Sequence, residues 1–361
     1  MPVPSQRSTA RTVVARVDEA LATFLADRAG TLSAAGDDVA EVVDAARDVV
    51  LSGGKRMRPT FAYWGWRCVH ADGASGEDAL ITAAASLELL HAAALVHDDL
   101  IDDSATRRGR PATHTRFAAR HDDAGWPGAG DGFGAAVAIL LGDLLLTWSA
   151  AMVDGADLGV VAGRRARTVF EAMAAEMMAG QYLDVLDQAR GQHSVESALR
   201  VARFKSAKYT VERPLQFGAA AGGAGSAVLD ALSAYGVPVG EAFQLRDDVL
   251  GVFGDPNATG KPAGDDLREG KRTVLVALAH DGADPAGRAL LDRYLGDRRL
   301  DDDGVAALRA LILDTGALAE VETMITDRHQ RALHALDDAV IRPEARSALR
   351  ELATAATQRQ T

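Results

Sequence analysis

Apolar residues recur three and four positions apart through most of this 361-residue chain, a period that suits helices and leaves little room for strands. The pattern is clearest in VAEVVDAARDVVL (39–51), ALITAAASLELLHAAALVH (79–97) and EAMAAEMMAGQYLDVL (171–186), where alanine and leucine dominate and β-branched residues rarely alternate with polar ones. SGG at 52–54 and the glycine and proline positions around 109–111 read as stops between helices. An all-α fold follows. No Ser-, Pro- or Gly-rich linker divides the chain, so residues 1–361 are expected to form one domain, frayed at about 1–12 and 354–361. The Gly-rich segment HDDAGWPGAGDGFG (121–134) reads as a long inter-helix loop.

The charge balance narrows the partners. With 48% hydrophobic residues there is material for a sizeable core, and a net charge of −12 argues against nucleic acid or an anionic membrane as the main partner. An anionic ligand must therefore be met locally, by clustered cations or by metal. Cys68 is the single cysteine, which excludes an internal disulfide, and the N-terminal MPVPSQRSTARTVV lacks the apolar run of a signal peptide, so a cytoplasmic protein is expected. The apolar stretch 135–153 approaches membrane-spanning length but carries Asp143 near its middle; it reads as a buried helix, the only segment of its kind, and no transmembrane segment is expected.

Against this background LVHDDLIDDSATRRGRP (95–111) is unusual, because it sets Asp98, Asp99, Asp102 and Asp103 on an apolar lead-in directly before Arg107 and Arg108. Carboxylates on a largely buried helix are costly unless a cation meets them. DDLID at 98–102 is answered by DDVLG at 247–251, again on an apolar helical stretch. Positions i and i+4 share a helix face, so Asp98 and Asp102 point the same way and Asp99 lies to the side. One such motif is as compatible with a solvated acidic face; two favour oxygen ligands for Mg²⁺, which takes one or two carboxylates and leaves positions for phosphate oxygens. GGKRMRP (53–59) places Lys55, Arg56 and Arg58 in a glycine-initiated turn, either a phosphate cradle or a solvated loop, and RRGRP adds Arg107 and Arg108.

These residues resemble the trans-isoprenyl diphosphate synthases, the polyprenyl synthetase family that includes farnesyl and geranylgeranyl diphosphate synthases; the motifs run in the family's order from GGKRMRP at 53 to GKRTVL at 270–275. The resemblance implies a single bundle of antiparallel helices around a deep central cavity. It assigns Asp98, Asp99, Asp102, Asp247 and Asp248 to the two aspartate motifs, with Asp98, Asp102 and Asp247 as ligands of Mg²⁺, three ions with diphosphate bound. Lys55, Arg58, His91 and Arg108 match the isopentenyl diphosphate site; Arg107, Lys205, Lys261 and Lys271 match the cations that hold the allylic diphosphate. Gln181 and Asp184 in GQYLDV match a signature near the allylic group, with helix-packing hydrogen bonds as the plain alternative. Near Lys205 the backbone carbonyls, together with the side chain of Gln244, match the groups that stabilise the allylic cation. His91 alone would read as a core histidine; its place seven residues before Asp98, two turns along one face, supports a ligand role.

Departures are local. Ser206 stands where the family has threonine, Pro214 removes a backbone donor from that helix, and Gly251 replaces the last aspartate of the second motif, with Asp255 a candidate substitute. The implied reaction ionises an allylic diphosphate and condenses the cation with isopentenyl diphosphate, without a protein nucleophile. Small residues at Ala93 and Ala94, five and four before Asp98, leave the shaft for the product tail open, with Leu90 or Leu87 as floor; geranylgeranyl diphosphate is the expected product, unless the alanines serve only close helix packing. Alternatives are a farnesyl or longer-chain synthase, a class I terpene cyclase, or a non-catalytic synthase subunit. The resemblance also implies a homodimer.

Overall fold

A computed structural model describes the backbone of residues 6–191, 193–254 and 264–357, with side chains from residue 12 onward, and realises the apolar period as helices. Two compact units are discernible, Met1–Val169 with Phe217–Ala224, and Phe170–Gln216 with Gly225–Thr361.

In the first unit, α1 (Gln6–Leu32), α2 (Ala40–Leu51), α3 (Met57–Arg67), α4 (Glu77–Ile101), α5 (Thr113–Asp123) and α6 (Gly130–Gly155) follow in chain order. Helix α4 packs against α1, α3 and α6 and buries Leu80, Leu87, Leu89 and Leu90 completely. A helix apolar all round needs such surroundings. Both α4 and α6 are long and apolar enough to cross a membrane by length and composition, so the stretch at 135–153 is not alone in this; α4 is mostly enclosed by its neighbours, as a core helix is.

The first stop falls where SGG places it, α2 ending at Leu51, whereas α4 ends at Ile101, eight residues before the glycine at 109 expected to stop it. Beyond α4 the chain makes a short hairpin that the helical period does not announce. Strands β1 (Thr106–Arg107) and β2 (Arg110–Pro111) pair antiparallel around Arg108 and Gly109, both at positive φ, 53° and 72°. Two central residues with positive φ give a turn whose twist matches the strands. The glycine-rich segment is shorter than expected, since α5 runs to Asp123 and α6 starts at Gly130, leaving only 124–129 between them. Buried His121 packs edge-on against Trp126, which packs on Phe133, so this connection is held by its own aromatic contacts.

In the second unit the chain forms α8 (Val195–Val201), a π-helix (Ala202–Glu212), α10 (Ser226–Phe253), α11 (Asp265–Glu269), α12 (Val274–Gly282), α13 (Pro285–Tyr294), α14 (Asp302–Asp314), α15 (Ala317–Asp337) and α16 (Pro343–Thr357); α7 (Val160–Arg190) and α9 (Arg213–Ala221) carry residues of both units. Leu245, Val252, Leu267, Leu275, Leu291, Leu308 and Ile312 share one core. Side-chain caps start several of these helices: Thr273 accepts from Val276 N, Asp284 from Gly287 N, and Asp301 from Gly304 N, each satisfying a backbone donor that has no partner inside the helix. Within the described residues, helix reaches into both segments expected to fray. Helix α1 begins at Gln6, and α16 continues to Thr357 because Ala353, Ala356 and Thr357 are buried and Arg246 Nε donates to the Thr357 carbonyl at 3.1 Å.

The π-helix lies against α10 with almost no space between them. A Cβ added at Gly240 would sit 2.5 Å from Ala207 Cα, and one at Gly236 would sit 2.8 Å from Glu212 Cα. Backbone, not a movable side chain, stands in the way. Gly240→Ala is therefore expected to destabilise the protein by about 1–3 kcal/mol through overpacking, read as a lower urea midpoint with an unchanged slope.

Candidate active site

Three carboxylates gather at the C-terminal end of α4, with no basic residue in its last turn. The carbonyls of a helix C-terminus already contribute about half a negative charge there. Asp99 is buried and takes a hydrogen bond from Arg107 Nε at 2.7 Å, while Asp98 Oδ2 lies 4.0 Å from Arg107 Nη2 with 22% of its side chain exposed. Asp102, also buried, caps the helix, its N–H donating to the Asp98 carbonyl at 2.8 Å. The sideways placement of Asp99 expected from the i, i+4 spacing thus coincides with its pairing to Arg107.

The hairpin after α4 brings the arginines round. Arg107 turns to Asp99, and Arg108 Nη1 donates to the Gly53 carbonyl at 2.6 Å and to Ser52 Oγ at 3.3 Å, which ties the hairpin to the glycine turn. That turn uses Gly53 at φ 90°, Gly54 at φ 145° and Arg56 at φ 47°. Arg56 is the buried member: Nε donates to Asp18 Oδ1 at 2.8 Å, Nη1 to Glu88 Oε2 at 2.9 Å and Nη2 to the Val50 carbonyl at 2.9 Å. With Arg56 turned inward, Lys55 is left exposed and Arg58 half-buried on the first turn of α3. Burial, then the nearby charges of Arg58, Arg108, Arg107 and Arg56, push the His91 imidazole well below its ordinary value. It is neutral at physiological pH, and its surroundings are strongly cationic. The four residues assigned to isopentenyl diphosphate therefore all belong to the first unit, and Arg58, His91 and Arg108 are within electrostatic reach of one another. Ala93 and Leu90 are buried in α4 and Ala94 is half-buried.

In the second unit, α10 carries Gln244, Asp247 and Asp248. Gln244 Nε2 donates to Asp248 Oδ1 at 2.8 Å. Burial pushes the Asp248 carboxyl up to about 8, and Asp266 and Asp247 reinforce this against the pull of the Gln244 hydrogen bond and Lys271. A carboxyl in that state favours an arriving cation, which would restore its charge. Lys205, on the π-helix, pairs with Asp184 at 2.7 Å, and Asp184 also accepts from Gln188 at 3.4 Å; Gln181 is half-buried one turn earlier on α7. The helix around Lys205 is irregular, as Pro214 suggested, and takes the π form, which is frequent at functional sites. Lys271 is held by Asp266 at 3.1 Å and Glu269 at 2.6 Å. Lys261 and Asp255 lie outside the described residues.

Two holding arrangements are not visible in the sequence pattern. Glu88 inside an apolar run is a usable signal, because a buried carboxylate demands a cation, but nothing in the chain order points to Arg56 as that cation. Asp266 and Glu269 are close to Lys271 in sequence, yet only α11, ending at Gly270 with φ 76°, turns their carboxylates back onto it. The donors offered for metal are hard carboxylate oxygens, the chemistry that suits Mg²⁺.

The Polyprenyl synthetase family model matches residues 39–312. The chain is 35% identical to the geranylfarnesyl diphosphate synthase of Aeropyrum pernix over 76% of its own length and 80% of that protein's, and 33% identical to the geranylgeranyl diphosphate synthase of Mycobacterium tuberculosis over 81% and 77%. Among solved structures it resembles the geranylgeranyl pyrophosphate synthase of Corynebacterium glutamicum, complexed with isoprenyl diphosphate and magnesium: TM-score 0.91, 41% identity, covering 95% of this chain and 97% of that one.

Proposed function

Because the chain belongs to the polyprenyl synthetase family and is a trans-prenyltransferase of isoprenoid synthesis, we propose that it extends an allylic diphosphate with isopentenyl diphosphate to give geranylgeranyl diphosphate. In this reading Lys55, Arg58, His91 and Arg108 hold isopentenyl diphosphate, and Arg107, Lys205, Lys261 and Lys271 hold the allylic diphosphate. Neutral His91 donates one hydrogen bond among fixed cations. Asp98 and Asp102 on α4 and Asp247 on α10 provide carboxylate oxygens to Mg²⁺, three ions with diphosphate bound, and Asp99 and Asp248 support them. When bound, the metal supplies Lewis acidity that stabilises the departing diphosphate. Gln244 and the π-helix carbonyls near Lys205 offer negative dipole ends to the allylic cation, with Gln181 beside the allylic group.

The observation that carries the product assignment is the small side chains of Ala93 and Ala94 in α4, with Leu90 a turn further from Asp98. Of the relatives named above, one is by its name a geranylgeranyl and the other a geranylfarnesyl diphosphate synthase; the first supports this choice and the second a longer product. A homodimer belongs to the same reading, supported by Ile139 and Leu140, exposed on the otherwise apolar α6. The free, buried Cys68 accords with a cytoplasmic setting.

The deciding experiment incubates the purified chain with Mg²⁺, isopentenyl diphosphate and, separately, five-, ten- and fifteen-carbon allylic diphosphates. A twenty-carbon diphosphate that forms only when isopentenyl diphosphate is present is the expected result. Hydrocarbon released without isopentenyl diphosphate would establish a cyclase instead, and turnover appearing only on addition of a second chain would make this a subunit.

A further inference from the structure

The second aspartate motif closes on Gly251, where the resemblance leads one to expect a carboxylate. In the folded chain that volume is taken by another residue. A Cβ added at Gly251 would fall within the Asp266 carboxylate, 2.5 Å from Cγ and closer still to Oδ2. The Asp266 side-chain tip is all that a Cβ would meet so closely. Asp266 comes from α11, whose ends are set by Gly264 and Gly270, both at φ 76°, and its side chain is only 14% exposed. Its two oxygens face different tasks. Oδ1 accepts from Lys271 Nζ at 3.1 Å, and the backbone N–H of Lys271 donates to the Asp266 carbonyl at 3.0 Å, so residues 266–271 form a closed turn. Oδ2 is the atom at the place of the missing side chain on α10.

We propose that Asp266 supplies, from α11, the third carboxylate of the second aspartate motif, adding its charge to the divalent-cation site based on Asp247 while its other oxygen fixes Lys271. The proposal rests on the reading of Asp247 as a metal ligand. Glycine at 251 leaves room for the Asp266 side-chain tip; a side chain there would meet that tip, which would have to move aside.

Mn²⁺ serves as a paramagnetic probe, titrated by EPR at saturating inorganic diphosphate so that a weaker hold by Lys271 does not enter. Asp266→Asn keeps size and hydrogen-bonding capacity but loses the charge; it is expected to weaken Mn²⁺ binding about 10- to 100-fold, with little change in the melting midpoint of metal-free protein. The exchange variant Gly251→Asp/Asp266→Gly returns a carboxylate to α10 and is expected to recover most of the affinity lost in Asp266→Gly alone. Wild-type Mn²⁺ affinity in Asp266→Asn, or an exchange variant no better than Asp266→Gly, overturns the proposal. Asp247→Asn separates the two layers: if it loses Mn²⁺ while Asp266→Asn does not, only the role of Asp266 fails, whereas wild-type binding in Asp247→Asn defeats the underlying metal assignment.

Discussion

Asp98→Asn is expected to lower kcat by about three orders of magnitude while leaving the fold as stable as before, or slightly more so. Loss of one anionic oxygen from the cation site removes several kcal/mol of charge stabilisation, and each 1.36 kcal/mol is about tenfold in rate. The stability expectation has the opposite sign. Asp98 stands on the last turn of α4, where the helix dipole disfavours negative charge, and the Arg107 guanidinium stands off from it at 4.0 Å. Removing that charge relieves a repulsion with Asp99 and Asp102 as well. Turnover and thermal unfolding of the same preparation test both halves. A kcat within tenfold of wild type would remove Asp98 from the chemistry; a large loss of melting temperature would make it a structural residue. Asp99→Asn is the instructive contrast, because Asp99 is buried and accepts from Arg107, so its neutralisation removes the charge from that buried pair and should cost stability too.

That contrast between neighbours shows what was legible in the sequence and what was not. Helix period, stops and acidic motifs are local features, and the all-α fold with its aspartates on α4 and α10 follows from them. Arg56 shows the limit. GGKRMRP presents three equivalent-looking cations, but only Arg56 takes a left-handed backbone and turns into the unit to meet Glu88, which lies 32 residues away in the chain. No local pattern sorts the inward cation from the outward ones; the buried partner does. Gly251 shows the same limit from the other side. As sequence it is a missing carboxylate, whereas in the fold it is the space that Asp266 occupies. The hairpin at 106–111 was hidden because two-residue strands have no period to read, and its role lies in aiming Arg107 and Arg108.

Ala93→Phe is expected to shift the product from twenty carbons toward fifteen. Ala93 is five residues before Asp98 on α4, about 7.5 Å along the axis, and is only 3% exposed. A product tail directed along α4 from the ionising end passes this position and then meets Leu90 and Leu87 at steps of about 4.5 Å, each close to one isoprene unit. A phenyl ring at 93 would therefore stop growth roughly one unit earlier than the Leu90 floor. The competing account, in which Ala93 only lets α4 pack closely on its neighbours, makes a different forecast. Overpacking then costs about 1–3 kcal/mol, and the melting midpoint and total turnover fall while the chain-length distribution stays where it was. Chromatography of the products beside a melting curve separates the two. Leu90→Ala supplies the reverse arm: a deeper shaft yields products beyond twenty carbons, at a stability cost of about 2–5 kcal/mol for a fully buried leucine. If neither substitution moves the distribution, α4 does not line the tail, and chain length is set by another wall.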